Sequence, residues 1–462
     1  MTQSVLIPNP TLREPARRSP TRAGQRYFIR TFGCQMNEHD SERIAGLFEM
    51  DGMSQAAGLE EADVVYVNTC TIRENADNRM YGNLGQLKAI KDVNPKMLLV
   101  VGGCAAQKDR DLIRERAPWV DVVMGTHNLD RVLDLMDHSE QWGPITEVVD
   151  ELQAMPSSLP VKRELAHSAW VTIQVGCNNT CTFCIVPSVR GVEVSRRPGD
   201  IVREVERLTG EGVVEVTLLG QNVDTYGRDL ALDGKRRPIF AELLRRVGAV
   251  ERIRRVRFTS PHPNDFRDDV ARAMAETEAV CEHLHFPLQS GSDRMLRAMH
   301  RGYNRKKYAE RLAMARDVIP GLAVSTDIIV GFPGETEDDF AQTLAMVEEA
   351  RFDSAFMFIF SPRPGTAAAG LTDQFIPDEV ITERFARLAE LQNRISGDRN
   401  DEMVGKRVEV LSEGPSRKDP DVATTRSRTG KVVHVRGDHP AGSFLDVVVD
   451  KAHQHHLLGS RV

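Results

Sequence analysis

Hydrophobic and polar positions change rhythm three times along the chain. Between residues 26 and 150, short apolar or β-branched runs alternate with helical patterns. Segments 27–31 (YFIRT), 64–68 (VVYVN), 97–101 (MLLVV) and 120–124 (VDVVM) read as strands, with helices over stretches such as 40–50 and 74–90. Several of these runs are continuously apolar, as in strands covered on both faces of a parallel sheet. The alternation predicts an α/β domain built on an open, doubly wound parallel sheet. Residues 151–168 lose the rhythm and gain Pro and Ser, the mark of a linker. A second alternating series spans 169–400, with strands near 170–175, 213–219, 254–259, 283–288, 323–330 and 354–360. Helices such as 199–211 and 305–318 lie between them. Six strand–helix units predict a partial (β/α)6 barrel rather than the full eight. Over 401–462, segments 406–411, 429–435 and 443–449 alternate between turns bearing Gly and Pro, which predicts a small all-β barrel.

Composition narrows the class. The 462 residues are 41% hydrophobic and 27% charged, enough apolar material for several cores. A net charge of −7 argues against a basic coat but leaves room for a local basic patch that binds phosphates. No run of about 18 apolar residues occurs, so no membrane partner and a cytoplasmic location are expected. Residues 1–25 set Arg13, Arg17, Arg18 and Arg22 among Pro8, Pro10, Pro15 and Pro20 without an apolar h-region, and read as a disordered tail.

The chain has seven cysteines, and their spacing carries the chemistry. A disulfide framework does not suit a long chain without a secretory signal. Cys177, Cys181 and Cys184 form a C-x3-C-x2-C array in GCNNTCTFC, directly after the first strand of the second series. Three thiolates in one short loop can bind three corners of a [4Fe–4S] cube and leave the fourth iron open. An open iron can chelate the amino and carboxylate groups of S-adenosylmethionine (SAM), whose sulfonium bond one electron then cleaves. The rival is a zinc site completed by a distant ligand, but no further C-x2-C pair or nearby His completes one. Cys34, Cys70 and Cys104 form a second trio. Each follows a predicted parallel strand by a few residues, in RTFGCQMN, VNTCTIREN and VVGGCAAQ. Such turns gather at one edge of an open α/β sheet. Gly33, Gly102 and Gly103 would let backbone approach a bulky cluster, whereas three buried structural cysteines is the plainer alternative. Cys281 is left over and reads as a small core residue.

The loop GCNNTCTFC, with the aromatic Phe183 before its last cysteine, resembles the radical SAM signature. FGCQMNEHDSER, NTCTIRENADNR, GCNNTCTFCIVPSVRG, TLLGQNV, RFTSPHP, HFPLQSGSDRMLRAM and DIIVGFPGETEDDF together resemble the radical SAM methylthiotransferase family over nearly the whole chain. ATTRSRTGKVVHV and the closing HLLGS resemble the TRAM module, a small RNA-binding β-barrel. RFTSPHP and FGCQMNEHDSER are closest to the tRNA branch, which makes 2-methylthio-N6-isopentenyladenosine beside the anticodon. The resemblance implies that Cys177, Cys181 and Cys184 hold the SAM-cleaving [4Fe–4S] cluster, and that the resulting radical takes hydrogen from C2 of the adenine. Cys34, Cys70 and Cys104 would hold an auxiliary [4Fe–4S] cluster whose free iron binds the sulfur to be inserted, and a second SAM would give the methyl group. Asn222, Gln289, Ser290, Asp327, Gly331 and Gly334 sit at strand ends and, with Phe183, are candidates for SAM or substrate contact; plain turns explain the glycines nearly as well. His127 is a candidate to line the auxiliary crevice. Arg426, Arg428 and Lys431 are candidates for RNA phosphates, with Phe444 the one aromatic near them; a solvated mixed-charge face is the alternative.

The expected protein is thus a monomeric tRNA methylthiotransferase whose partners are tRNA carrying isopentenyladenosine, an electron donor and a sulfur source. Rival targets are threonylcarbamoyladenosine in tRNA and a ribosomal-protein aspartate. A rival of another class is a non-catalytic RNA-binding protein with structural metal.

Overall fold

The structure, a computed structural model, describes residues 19–71, 74–150, 159–231, 234 and 236–462. The expected tail lies outside the described residues over 1–18, and the expected linker over 151–158. The chain gathers into two compact units. The first runs to Glu164 and also takes in Ser188–Arg196; the second comprises Leu165–Pro187 and Arg197–Val462.

The first unit is built on a parallel sheet of β1 (Arg26–Thr31), β2 (Ser54–Gln55), β3 (Val64–Thr69), β4 (Leu98–Gly103), β5 (Val122–Met124) and β6 (Ile145–Glu147), in the order β2-β1-β3-β4-β5-β6. Every residue of β3 and β4 is buried, which is why both open in sequence on a continuous apolar run. Separate cores cover the two faces. Helix α1 (Gln35–Met50) sends Ile44, Leu47 and Phe48 into one, and α2 (Glu74–Val93) sends Met80, Leu84 and Leu87 into the other, each at helical spacing. Strand order reverses between β1 and β3, so the ligand crevice of such a sheet belongs outside their carboxyl ends.

In the second unit, β7 (Ser168–Thr172) precedes a two-residue strand, β8 (Gln174–Val175), and the cysteine loop; another short strand, β9 (Val194–Ser195), follows the loop within the first unit. β10 (Glu215–Leu219) pairs in parallel with β7 and with β11 (Arg255–Phe258). A second sheet holds β12 (His283–His285), β13 (Ala323–Val330) and β14 (Ser354–Ile359), also parallel. A parallel bridge between Val256 and Val280 links the two sheets, so six strands follow one another in chain order around a single large core. The strand expected over 283–288 is regular only to His285. Pro287 has no N–H to give a ladder, and Gln289 takes a left-handed φ of 70°. Between strands, helix Pro198–Gly210 opens on a proline and buries Ile201, Val205 and Leu208.

The C-terminal segment is a closed barrel of β15 (Arg407–Pro415), β16 (Val422–Ser427), β17 (Val432–Arg436), β18 (Phe444–Ala452) and β19 (Leu457–Arg461), ordered β15-β16-β17-β19-β18. Among the described residues no helix is long and apolar enough to cross a membrane.

Candidate active site

In the first unit the second cysteine trio occupies the three turns at the reversal point. Cys34 caps the start of α1, Cys70 follows β3, and Cys104 opens the short helix α3 (Cys104–Asp109) after β4. Asn37, fully buried on α1, draws two of them together: its side-chain oxygen lies 3.5 Å from Cys34 Sγ and 4.0 Å from Cys104 Sγ. Its amide donates to Asn68 Oδ1 at 2.9 Å and to the Thr69 carbonyl at 2.8 Å, which ties α1 to the end of β3.

Into this corner projects Arg190. Its side chain is 5% exposed, and it pairs at 2.8 Å with Asp40, equally buried. Its other amino group donates to Asn37 Oδ1 at 3.4 Å. Burial pushes the Cys104 thiol up, and the adjacent Arg190 guanidinium opposes the shift. His127 belongs to the same neighbourhood, where burial first and Arg190 second hold its imidazole below the ordinary value. The glycines differ from expectation. A Cβ on Gly102 would lie 2.2 Å from the Tyr66 hydroxyl, and one on Gly103 would lie 2.3 Å from Asn68 Oδ1 and 2.5 Å from the Thr69 carbonyl. They let neighbouring strands pack, rather than clearing space toward a cluster.

In the second unit, Thr182 pins the cysteine loop at its centre. The Thr182 amide donates to the Met299 carbonyl, its hydroxyl donates to the Ala298 carbonyl, and its own carbonyl accepts from Ala368 N–H. Phe183 is half-buried against Met295, Met299, Ile329, Phe332 and Ala368, so the aromatic residue anchors the loop. Cys184 N–H donates to the Cys181 carbonyl at 3.1 Å, and burial pushes the Cys184 thiol up to about 11. Again a buried arginine stands beside the sulfurs: Arg301 donates to Cys181 Sγ at 3.4 Å and is braced by the Tyr303 hydroxyl at 3.1 Å. Tyr303 in turn donates to the carbonyls of Pro287 and Leu288.

Three thiols with a buried cation at their side suit a thiolate-bound cluster, whose net charge is negative. Among the described residues no three His, Cys, Asp or Glu side chains converge on one point as a single ion needs. A cube places a different iron under each thiolate, so it does not ask for that convergence.

The strand ends around the loop are lined with buried polar groups. Asn222 is fully buried; its amide donates to Asp265 at 2.9 Å, and its oxygen finds no hydrogen-bond partner among the described residues. The same holds for Gln174 Oε1, Asp224 Oδ1 and His262 Nε2. Burial raises the Asp224 carboxyl to about 8 and lowers the His262 imidazole to about 2, so both are neutral near pH 7. Ser260 and Gln289, neither of them glycine, have φ of 58° and 70° at the ends of neighbouring strands, and strain of this kind collects at functional sites. Asp327 sits on β13, 3.3 Å from His285 Nε2. Ser290 is buried and shares a 3.2 Å hydrogen bond with the Thr343 hydroxyl, which gives it a partner within the protein. Gly331 and Gly334 have φ of 76° and 77°, and a Cβ on Gly331 would lie 2.7 Å from the Ile381 side chain, so turn geometry and packing account for Gly331. The sequence reading passed over Arg190, Arg301, Asp224 and His262. RFTSPHP contains His262, and SVRG contains Arg190, but nothing local marks either as buried.

On the C-terminal barrel, the three candidates for RNA phosphates all have partners within the protein. Arg428 donates to the Glu282 carboxylate and to the carbonyls of Glu278 and Val280, and Lys431 pairs with Asp353 at 2.9 Å. Arg426 pairs with Glu413 at 2.7 Å. The guanidinium groups of Arg254 and Arg255 cover the Phe444 ring. Arg428 and Lys431 therefore fasten the small barrel to the larger one, and Arg426 is satisfied within its own sheet. Arg417, Lys418 and Arg436 stay exposed.

Comparison with known proteins agrees with this architecture. Residues 26–125 match the Uncharacterized protein family UPF0004, and residues 171–347 match the Radical SAM superfamily. A tRNA-2-methylthio-N(6)-dimethylallyladenosine synthase from Thermobifida fusca is 53% identical over 94% of this chain and 88% of its own length. Its counterpart from Frankia alni is 54% identical over the same shares. Among solved structures, the radical S-adenosylmethionine methyltransferase TsrM from Kitasatospora setae superposes with a TM-score of 0.54 at 13% identity, covering 75% of each chain, which speaks to the fold alone. A relative so similar over so much of both chains leaves one assignment: this chain belongs to the radical SAM family of tRNA-2-methylthio-N(6)-dimethylallyladenosine synthases.

Proposed function

We propose that the chain transfers a methylthio group to C2 of N6-isopentenyladenosine beside the anticodon of tRNA, in the cytoplasm and as a monomer, with SAM as both radical source and methyl donor. The observation that carries the two-cluster part of this reading is the matched pair of sites. Each cysteine trio has its own buried arginine against the sulfurs, Arg190 beside Cys34 and Cys104, and Arg301 beside Cys181. Cys177, Cys181 and Cys184 would hold the cluster that binds SAM, and Cys34, Cys70 and Cys104 the auxiliary one. When bound, the two clusters supply the electron that cleaves SAM and the site from which sulfur is delivered.

The chain's own residues do the rest. Thr182 and Phe183 fix the loop, Arg190 and Arg301 offset thiolate charge, and the neutral Asp224 and His262 offer hydrogen bonds in a water-poor mouth. Asn222, Gln289 and Asp327 line the same strand ends and would orient SAM or the target base.

Anaerobic reconstitution should give about eight irons per chain, falling to about four in either a C34A/C70A/C104A or a C177A/C181A/C184A variant. Digested tRNA from cells lacking the protein should lose the methylthio isopentenyl nucleoside. An unchanged nucleoside profile overturns the substrate. Full iron content in either triple variant overturns the two-cluster assignment.

A further inference from the structure

The internal ion pairs of Arg428 and Lys431 leave open where an RNA substrate meets positive charge. A cleft of about 1000 Å³ in the second unit offers an answer. Its walls are the first two turns of helix Pro198–Gly210, the first turn of helix Phe240–Gly248 with Arg246 from that helix's last turn, and part of the loop that precedes the second helix. In a strand–helix series these first turns lie on the face where the strands end, the face that carries the cysteine loop. Four arginines line the cleft: Arg197, Arg203, Arg237 and Arg246. Two have carboxylate partners, Arg203 with Asp200 and Arg246 with Glu242. Arg197 and Arg237 are exposed, and neither has an ion-pair partner among the described residues. Among the described residues, the lining thus carries an excess of two positive charges, on a chain whose net charge is −7.

We propose that this cleft is a phosphodiester-binding site that seats the RNA backbone on the catalytic face, with Arg197 and Arg237 as its two phosphate contacts. The assignment rests on the tRNA reading above. Guanidinium groups suit the task because their fork of donors matches phosphate oxygens and their charge persists at any working pH. The two helix N-termini add positive potential at the same place. The paired arginines, Arg203 and Arg246, shape the walls.

The test is equilibrium binding of isopentenyladenosine-bearing tRNA to the full-length reconstituted protein, measured across a salt series. The R197A/R237A variant is compared with wild type and with R272A, which removes an exposed arginine paired with Asp268 elsewhere on the domain. Loss of two phosphate contacts should make the slope of log K against log[salt] shallower by about 1.5, with roughly tenfold or greater weakening at low salt. R272A should keep the wild-type slope. Inorganic phosphate, at matched ionic strength, should displace the RNA no better than chloride. Wild-type binding with an unchanged slope in R197A/R237A overturns the cleft assignment alone. Displacement by inorganic phosphate that R197A/R237A abolishes assigns the cleft to free phosphate and overturns the RNA backbone. Wild-type protein without affinity for the tRNA overturns the substrate reading and this assignment together.

Discussion

Replacing Arg190 with Met removes a guanidinium from the interior while keeping most of the side-chain volume. Asp40 is then left 5% exposed without its 2.8 Å partner, and Asn37 and Cys104 each lose a donor. Removing one member of a buried pair costs about 3–5 kcal/mol, because the surviving charge stays desolvated. Since about 1.4 kcal/mol is a factor of ten, local opening of the N-terminal sheet should become roughly a hundredfold to a few thousandfold more frequent. Hydrogen exchange on the full-length protein reads this directly, with amides of β3 and β4 as reporters and those of β13 as internal reference. The D40N/R190M variant has no stranded charge and should recover at least half of the loss. Exchange in R190M within threefold of wild type would refute the charge-balance argument. So would a double variant no better than R190M.

Other consequences can be measured separately. Native Asp224 keeps its proton to about pH 8, whereas in the unfolded chain it loses it near 4. The folded state therefore binds more protons across that window and loses stability as pH rises through it. The D224N variant should be the more stable by a margin that grows from pH 5 to pH 8 in thermal melts, and parallel profiles would sink the idea. Gly103→Ala puts a Cβ into backbone at a φ of 91°, so it should destabilise the first unit by at least about 2 kcal/mol in urea titrations. A midpoint unchanged from wild type would show that the strand ends can yield. Arg428→Met should loosen the seam between the barrels, costing about 2–3 kcal/mol and exposing residues near 402–406 to protease. A variant of normal protease resistance that loses tRNA affinity would restore Arg428 to an RNA-binding role.

The elements that could be read from the sequence are those whose burial is one-sided or complete. β3 and β4 open on apolar runs and β13 closes on one, and those runs report burial on both faces. β16 (VATTRS) escaped because the side chains it buries include Thr425 and Ser427, which satisfy their hydroxyls inside the barrel. The six cysteines of the two trios stood out by spacing or by position after strands. Arg190 and Arg301 could not, since an arginine's burial depends on a partner: Asp40 is 150 residues upstream of Arg190, and Cys181 is 120 residues upstream of Arg301. The ion pairs of Arg426, Arg428 and Lys431 were hidden for the same reason. A cation in a mixed-charge strand looks solvated until Glu282, Asp353 and Glu413 are brought against it.

The first unit is discontinuous in sequence, and this bears on how it is made. A ribosome delivers Cys34, Cys70 and Cys104, together with the whole β1–β6 sheet, before it reaches Arg190. Until then Asp40 has no counter-ion from that residue, and the nascent sheet can form without its final charge balance. By the time Arg190 emerges, Cys177, Cys181 and Cys184 have been synthesised as well. Vectorial synthesis thus holds back the electrostatic completion of the first cysteine trio until the second one has been made, so that the charge balance around Cys34 and Cys104 is set only once Cys177, Cys181 and Cys184 exist.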